Sequence, residues 1–409
     1  MKKPSRTTTV CLVAGVCAAA AAGALALPDS AGGEAAPVPA VAAPRISFGL
    51  PEGTTGVLPS QSASVSVAGG RLDAVTLRPA PDGAGQEGTL SPDGKHWTSG
   101  GTLALDTTYT VHAVARDAAG DRVSEDSSFT TLPASDVLRV TTVPAAAKGT
   151  PTVGVGMPVS LTFNKPVRDE RAVQKAVTVT SSSGQQAVGH WFGRTRLDFR
   201  PETYWEPGAK VRVRLALDGV EAAPDAVGIR DRTFGFDVGR SQISTVDAAD
   251  STMTVVRSGR LLRELPVSAG SPDHATYNGT MVISAKELTT RMNGSTVGLL
   301  DEDGKPAYDI PDVPHAMRLS RSGTFVHGNY WAAEKVFGTV NTSHGCIGLQ
   351  DVKGGGDPGA PAAWFYRNSL LGDVVVVKDS VGGGTIRPDN GLSDWNLSWS
   401  QWKEGSALG

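Results

Sequence analysis

Cysteine is almost absent from this chain of 409 residues, which contains 3 cysteines. Two of them, Cys11 and Cys17, lie close to the N-terminus, and Cys346 stands alone in the remainder. The chain beyond Cys17 can therefore form no internal disulfide, and a zinc centre built on several thiolates is excluded. The lone thiol is either an inert side chain or a nucleophile, and its neighbours must decide between the two.

Long apolar segments, a strong net charge and long helical repeats are missing as well. After residue 26 no segment is apolar enough to cross a bilayer. The 38 Lys and Arg nearly cancel the 41 Asp and Glu, so nothing indicates a nucleic-acid partner or electrostatic binding to a membrane. Glycine and proline are plentiful, and stretches with a period of 3.6 residues are scarce. The composition predicts a mainly β protein of several modules.

Residues 1–26 have the features of a secretory signal: a basic start, an apolar run from Val10 and a small-residue cleavage site at 24–26. An uncleaved N-terminal anchor is the alternative. Lipidation of Cys17 is disfavoured because Val16 precedes it in place of a small residue. We therefore expect an extracytoplasmic protein on the cell-wall side, either secreted or held by its N-terminus, which is the only membrane contact expected.

The middle of the chain alternates short strand-like segments with Gly, Pro and Asp turns every eight to twelve residues. This spacing predicts two small β-sandwiches, at residues 45–135 and 136–240, after an Ala/Pro linker at 27–44. A role as spacers is the simplest one for both sandwiches. Binding of carbohydrate or cell wall is the alternative, with Trp191 and Trp205 as the exposed side chains that would carry it.

A third module is predicted at residues 241–380, with one helix in the stretch APAAWFYRNSLL that begins near Pro361 and ends at Gly372. The tail, residues 381–409, places Trp395, Trp399 and Trp402 at the spacing of one helical stripe. Such a stripe is typical of a docking face, so we expect the tail to brace the second sandwich against the third module.

The stretch NTSHGCIGL surrounds the lone thiol, and two histidines stand near it in sequence, His344 and His327. A free cysteine has a pKa near 8.5, so a nucleophilic Cys346 needs a histidine to accept its proton. Gly345 predicts a tight turn in which the side chains of His344 and Cys346 diverge while the backbone N–H groups converge. His327 is therefore the predicted base, and the Gly345–Cys346 backbone is the predicted oxyanion hole. A zinc site made of both histidines and the thiol is a poorer alternative, and no metal or cofactor is expected.

The stretches HGNYW and NTSHGCIGL resemble the signature of the L,D-transpeptidases, the YkuD-type domain, in which a histidine precedes a Ser/Thr-His-Gly-Cys motif. The stretches SGTFVHG, WFYRNSLLGDVVVVKDS and HWFGRTRLDFRPETYWEPG, with the tryptophan-rich tail, are similar to bacterial cell-wall enzymes that carry two Ig-like modules before the catalytic one. The implied fold is mainly β: two Ig-like β-sandwiches, then a YkuD-type β-sandwich catalytic domain with one or two short helices and a tryptophan-rich C-terminal tail.

The resemblance implies an enzyme that forms 3→3 cross-links between peptidoglycan stem peptides. Cys346 would attack the donor tetrapeptide, release D-Ala and form a thioester, which the amine of an acceptor stem resolves. His327 would act as base, held by the carbonyl of Gly328. Carbapenem-type β-lactams are the expected covalent inhibitors. The Ser/Thr-His-Gly part of the motif corresponds to Ser343, His344 and Gly345, and the residues implied to line the donor pocket are Tyr308, Ser322 and Gly323.

One position departs from the family pattern. Many members have Cys-x-Asn at the nucleophile, whereas this sequence has Cys346-Ile347-Gly348. Any substrate contact of that asparagine is expected to be missing here. Two alternatives stay open at this point: an L,D-carboxypeptidase, in which water resolves the thioester, and a non-catalytic wall-binding protein with Ig-like repeats.

Overall fold

The computed structural model describes residues 43–81, 83–145 and 149–409. The predicted signal or anchor and almost all of the predicted linker lie outside the described residues. In the described ranges, no helix combines the length and apolar character that a membrane crossing requires.

Among the first eight strands, Ser64–Ala68, His96–Ser99 and Thr108–Arg116 alternate buried with more exposed side chains, as strands with one wet face do. The eight strands form two four-stranded sheets, in the orders β1-β3-β6-β5 and β2-β8-β7-β4, that pack face to face over a core containing Leu77, Val111 and Phe129. The strands are β1 Arg45–Phe48, β2 Thr54–Val57, β3 Ser64–Ala68, β4 Arg71–Pro79, β5 Gly88–Leu90, β6 His96–Ser99, β7 Thr108–Arg116 and β8 Arg122–Thr131.

The next ten strands form a second sandwich, with sheets in the orders β13-β14-β11-β9 and β10-β18-β15-β12 and a small β16-β17 pair. They are β9 Val140–Val143, β10 Thr152–Val153, β11 Val159–Phe163, β12 Val177–Ser181, β13 Val188–Phe192, β14 Arg196–Arg200, β15 Lys210–Ala216, β16 Glu221–Ala223, β17 Ala226–Val227 and β18 Asp231–Val238. A short helix, α1, covers Glu170–Lys175, with the Asp169 carboxylate accepting the Ala172 N–H at its start.

Both tryptophans expected to be exposed on this sandwich are buried. Trp191 donates its indole N–H to Gln174, and Trp205 donates to the carbonyl of Met157. Their N–H groups are satisfied inside the protein, as buried indoles require. The suggestion that these two side chains bind carbohydrate is therefore wrong.

Residues 242–378 build one nine-stranded mixed sheet in the order β22-β27-β19-β20-β21-β26-β25-β24-β23. Its strands are β19 Gln242–Asp247, β20 Thr252–Arg257, β21 Arg260–Ser268, β22 Gly279–Val282, β23 Ala285–Asn293, β24 Asp309–Arg318, β25 Phe325–Asn329, β26 Ile347–Gln350 and β27 Val374–Lys378. The predicted mainly β fold is confirmed. The predicted boundaries at residues 135, 240 and 380 stay a prediction.

The predicted helix is present but ends early. Helix α2 runs over Pro361–Asn368 with Pro361 in its first turn, and it buries Ala362 and Phe365 under the sheet. Ser369 is extended, and the Asp373 carboxylate accepts the N–H of Leu370. Because that amide is bound outside the helix, the chain turns away before Gly372.

The tryptophan-rich tail is not one helix. A 3₁₀ turn, Asp394–Asn396, is separated by the extended Leu397 from helix α3, Trp399–Glu404, which begins with a capping box at Ser398. The three tryptophans do not form a helical stripe but gather around one side chain. The Arg200 guanidinium lies 4.6 Å, 5.6 Å and 4.4 Å from the rings of Trp395, Trp399 and Trp402. The tail therefore packs on the second sandwich.

The same tail also reaches the nine-stranded sheet. The Asn396 side chain accepts the Thr280 N–H and donates to the Thr280 carbonyl, at 2.8 Å and 2.7 Å. These contacts, with those of Arg200, join the second sandwich to the third module through the tail.

Candidate active site

The pairing of β25 with β26 brings His327 and Cys346 together. The two strands are parallel, with His327 opposite Gly348. Because side chains alternate along a strand, residues 346 and 348 face the same side as His327. Cys346 stands directly before the first residue of β26, so the thiol and the imidazole are diagonal neighbours on one face.

Both side chains open into the same cavity, which has a volume of about 390 Å³. Cys346 lines this cavity, and the residue is only partly buried. The cavity mixes apolar walls with a few polar groups, as substrate sites do. Its lining comprises Met292, Tyr308, Ile310, His327, Asn329, Trp331, Ala332, Val336, Thr342, Ser343, His344 and Cys346.

His327 is held in one tautomer by the residue that follows it. Its Nδ1 lies 2.9 Å from the carbonyl oxygen of Gly328, and because a carbonyl only accepts, Nδ1 carries the proton. Burial lowers the pKa of His327, so the ring is neutral near pH 7 and Nε2 is an available proton acceptor. The Trp331 ring stacks on the imidazole at 5.7 Å between centroids.

A buried pair behind the strand supports this arrangement, and the sequence motifs gave no sign of it. Nδ1 of His315 lies 2.7 Å from Oδ2 of Asp351, and a side chain on Gly328 would meet that carboxylate at 2.2 Å. Gly328 is therefore a glycine because Asp351 occupies the space. The Asp351 charge also raises the pKa of His327, against the larger effect of burial.

The sulfur of Cys346 is held as a thiol. Sγ donates to the Gly323 carbonyl at 3.4 Å, and burial raises the pKa of Cys346 to about 11, although the N–H of Phe325 opposes this. The sequence predicts instead that the histidine has already accepted the proton and that the sulfur is a thiolate. In this structure the proton has instead to leave the sulfur when it reacts, which makes a neighbouring base more necessary.

The turn before the nucleophile departs in part from the predicted oxyanion hole. Gly345 has φ +104°, as the tight turn requires. However, its N–H donates to Ser343 Oγ at 3.1 Å, and that hydroxyl donates to the Cys346 carbonyl at 2.6 Å. The Gly345 amide is therefore occupied. Among the hydrogen bonds of the described ranges, none is donated by the Cys346 amide, so of the two N–H groups of the predicted oxyanion hole only this one is available to an anion.

His344 packs against two neighbouring rings, and the predicted divergence of its side chain from the sulfur stays a prediction. Its ring contacts His274 at 4.8 Å and Tyr308 at 5.2 Å, and burial followed by the charge of His274 lowers its pKa. Tyr308 and His344 form the wall between the first cavity and a second one of about 330 Å³, which Ser322 and Gly323 line. The three residues assigned to the donor pocket thus line one cavity, which shares Tyr308 and His344 with the cavity of His327 and Cys346.

The zinc alternative requires at least three metal ligands close together. Within residues 43–81, 83–145 and 149–409, no three His, Cys, Asp or Glu side chains come together in a way that could hold a metal ion. Nδ1 of His327 is engaged with a carbonyl, and the ring of His344 packs against His274 and Tyr308.

Comparisons with known proteins confirm the expected Ig-like and YkuD-type parts of the chain. The L,D-transpeptidase catalytic domain matches residues 241–377, and a bacterial Ig domain matches residues 54–221. L,D-transpeptidase 2 of Mycobacterium tuberculosis is 31% identical over 365 residues, which are 89% of this chain and 85% of the relative. L,D-transpeptidase 5 of the same species is 30% identical over 381 residues, or 90% and 78% of the two chains. A solved LD transpeptidase in complex with imipenem is 30% identical and covers 58% of this chain and 97% of its own, with a TM-score of 0.47.

Proposed function

Because the chain belongs to the L,D-transpeptidase family, we propose that it joins peptidoglycan stem peptides by 3→3 cross-links through a thioester on Cys346. The observation that carries the proposal is the placement of Cys346 and His327 on one face of adjacent strands, in one cavity. A neutral imidazole with a free Nε2 and a partly accessible thiol are the parts that acyl transfer by cysteine needs.

In the first half-reaction, Cys346 attacks the carbonyl that joins the third and fourth residues of a donor tetrapeptide. Nε2 of His327 takes the thiol proton as the S–C bond forms, and the Cys346 N–H holds the negative oxygen. When the C–N bond breaks, His327 returns the proton to the leaving amine, and D-Ala departs. Proton transfer by a positioned histidine contributes roughly 10²–10⁴ to such a rate.

In the second half-reaction, the side-chain amine of an acceptor stem attacks the thioester. His327 takes a proton from that amine and delivers it to the sulfur as the S–C bond breaks, so the free thiol returns. Both stems must reach one sulfur. Two cavities that meet at Tyr308 and His344 are consistent with separate approaches, with Tyr308, Ser322 and Gly323 on the donor side.

The setting of the enzyme is part of the same proposal. We place it outside the cytoplasm, where its substrate lies, with the two sandwiches as spacers. A strained β-lactam amide of the carbapenem type would be attacked by the same sulfur and would leave a stable acyl-enzyme.

The decisive experiment is incubation of the purified protein with a disaccharide-tetrapeptide, followed by mass spectrometry. A cross-linked dimer lacking one D-Ala supports the proposal. A tripeptide alone would replace it with an L,D-carboxypeptidase, in which water is the acceptor. No change in the substrate would favour a non-catalytic wall protein.

A further inference from the structure

Asn329 lines the cavity of His327 and Cys346, although the sequence motifs do not single it out. It follows His327 by two residues in β25, so the two side chains lie on the same face of the strand. Asn329 lines the cavity together with His327 and Cys346, and it is 7% exposed. A buried amide in such a position must find partners for its polar atoms, either in the protein or in a ligand.

Only half of this amide is satisfied by the protein. Oδ1 accepts the N–H of Ala332 at 3.0 Å, which fixes which end of the amide is oxygen and which is nitrogen. Among the hydrogen bonds of the described ranges, Nδ2 donates to no protein acceptor. The side chain is therefore held by its oxygen and presents two N–H donors at the cavity wall.

The neighbouring strand makes room for that nitrogen. A Cβ on Gly348 would lie 3.3 Å from Nδ2 and 3.4 Å from Cβ of Asn329, closer than ordinary packing. Gly348 is the position at which many relatives have the asparagine of Cys-x-Asn. A side chain at 348 and the amide of Asn329 would thus compete for one space beside the nucleophile.

We propose that Asn329 binds substrate, donating an Nδ2 hydrogen to a carbonyl or carboxylate oxygen of a stem peptide in the catalytic cavity. The amide that relatives carry two residues after the nucleophile is supplied here from the adjacent strand, two residues after the base. The substrate contact that is expected to be missing at Gly348 is therefore supplied by Asn329. This inference rests on the proposed function, since it needs a stem peptide as ligand.

Two variants test whether Asn329 acts as a hydrogen-bond donor. They differ in whether an oxygen remains to accept the Ala332 N–H. Asn329→Ala removes the whole amide. Asn329→Asp keeps an oxygen for the Ala332 N–H but removes the two N–H donors. We expect both to raise the KM for the stem peptide about tenfold, the effect of one lost hydrogen bond, with melting temperatures near that of the unmodified protein for Asn329→Asp.

The two stems are distinguished by varying one at a time. A raised KM for the tetrapeptide donor places the contact in the first half-reaction, and a raised KM for the acceptor amine places it in the second. Alkylation of Cys346 by iodoacetamide, measured across pH, reports whether the variants disturb the thiol itself. We expect the alkylation profile of Asn329→Ala to be unchanged.

A double variant completes the test. Asn329→Ala with Gly348→Asn moves the amide to the position that relatives use, and we expect it to recover most of the lost affinity. Unchanged KM values for both stems in Asn329→Ala and Asn329→Asp would overturn the inference. Failure of the unmodified protein to transfer or hydrolyse any stem peptide would instead contradict the proposed function itself.

Discussion

The carbonyl oxygen of Gly328 lies 2.9 Å from Nδ1 of His327, and this contact sets the tautomer of the proposed base. The glycine is confined from the other side by the carboxylate of Asp351, which is bound in turn to His315. The backbone that orients the imidazole is thus itself positioned by a buried His–Asp pair.

Replacing Gly328 with Ala should disturb both the fold and the base. The new Cβ would lie 2.2 Å from Oδ2 of Asp351, so the strand or the carboxylate has to move. We expect a loss of about 1–3 kcal/mol in the free energy of unfolding, measured by urea denaturation, and slower acylation of Cys346. Gly356→Ala is the matched control because nothing lies within 4 Å of its Cβ position, and it should change neither quantity. Equal stability of the two variants would contradict the packing argument.

Removing the sulfur should remove the acyl-enzyme without unfolding the protein. Cys346→Ala deletes one atom from a residue that is partly exposed at the cavity, so the melting temperature should change little. Intact-mass spectrometry after treatment with a carbapenem should find one adduct on the unmodified protein and none on the variant. An adduct on Cys346→Ala would show that another side chain is the nucleophile.

Acylation should depend on pH in a way set by two opposite shifts. Burial lowers the pKa of His327 below the usual 6.5 and raises that of Cys346 to about 11. The neutral imidazole is the working base, so the rate should stay level near neutral pH and fall only as the pH drops through the lowered histidine pKa. Stopped-flow measurement of carbapenem acylation gives this profile. A fall beginning above pH 6.5 would contradict the shift.

His327→Gln should change the shape of that profile as well as its height. Without the base, reaction depends on the spontaneous thiolate, so the rate should rise about tenfold per pH unit until about pH 11. At neutral pH the loss should be roughly 10²–10⁴-fold. His344→Gln is the control, because its ring points toward His274 and Tyr308, and it should keep the level profile.

Sequence reasoning reached the parts of the site that are local in the chain. The tight turn at Gly345 follows from the spacing of a few residues, whereas the choice of His327 over His344 as the base stays a prediction. The state of the sulfur does not follow from that spacing, because its pKa depends on how deeply the third module encloses it. The occupied Gly345 amide depends on a side-chain rotamer of Ser343. The packing of Asn329 against Gly348 depends on the register of β25 and β26, which pairs Gly348 with His327 and leaves Asn329 diagonal to it.

The fold, like the site, could be predicted from the sequence only in its local features. Alternation predicted the β modules, and Pro361 predicted the start of α2, but its end was set by Asp373, a residue outside the helix. The spacing of the tail tryptophans suggested one stripe because sequence distance alone cannot reveal the break at Leu397. Trp191 and Trp205 are buried, and their N–H groups are bound by Gln174 and Met157. A local sequence pattern does not predict these contacts, because the partners are distant in the chain.

Trp402, in the C-terminal tail, should stabilise the protein without taking part in the chemistry. Trp402 is fully buried, stacks on His190 at 4.6 Å, lies 4.4 Å from the Arg200 guanidinium, and donates its indole N–H to Val188 at 2.9 Å. Trp402→Ala should therefore cost about 3–5 kcal/mol in the free energy of unfolding. Trp399→Ala, in the same helix but only partly buried and 5.6 Å from Arg200, should cost much less.

Carbapenem acylation below the melting temperature should be unchanged in both tail variants, because neither ring lines the cavity of Cys346. Calorimetric melting and acylation rates measured on the same samples separate the two effects. If Trp402→Ala melted like Trp399→Ala, the cluster around Arg200 would not be what ties the tail to the second sandwich. If it slowed acylation, the tail would have to act on the nine-stranded sheet through Asn396 and its bonds to Thr280.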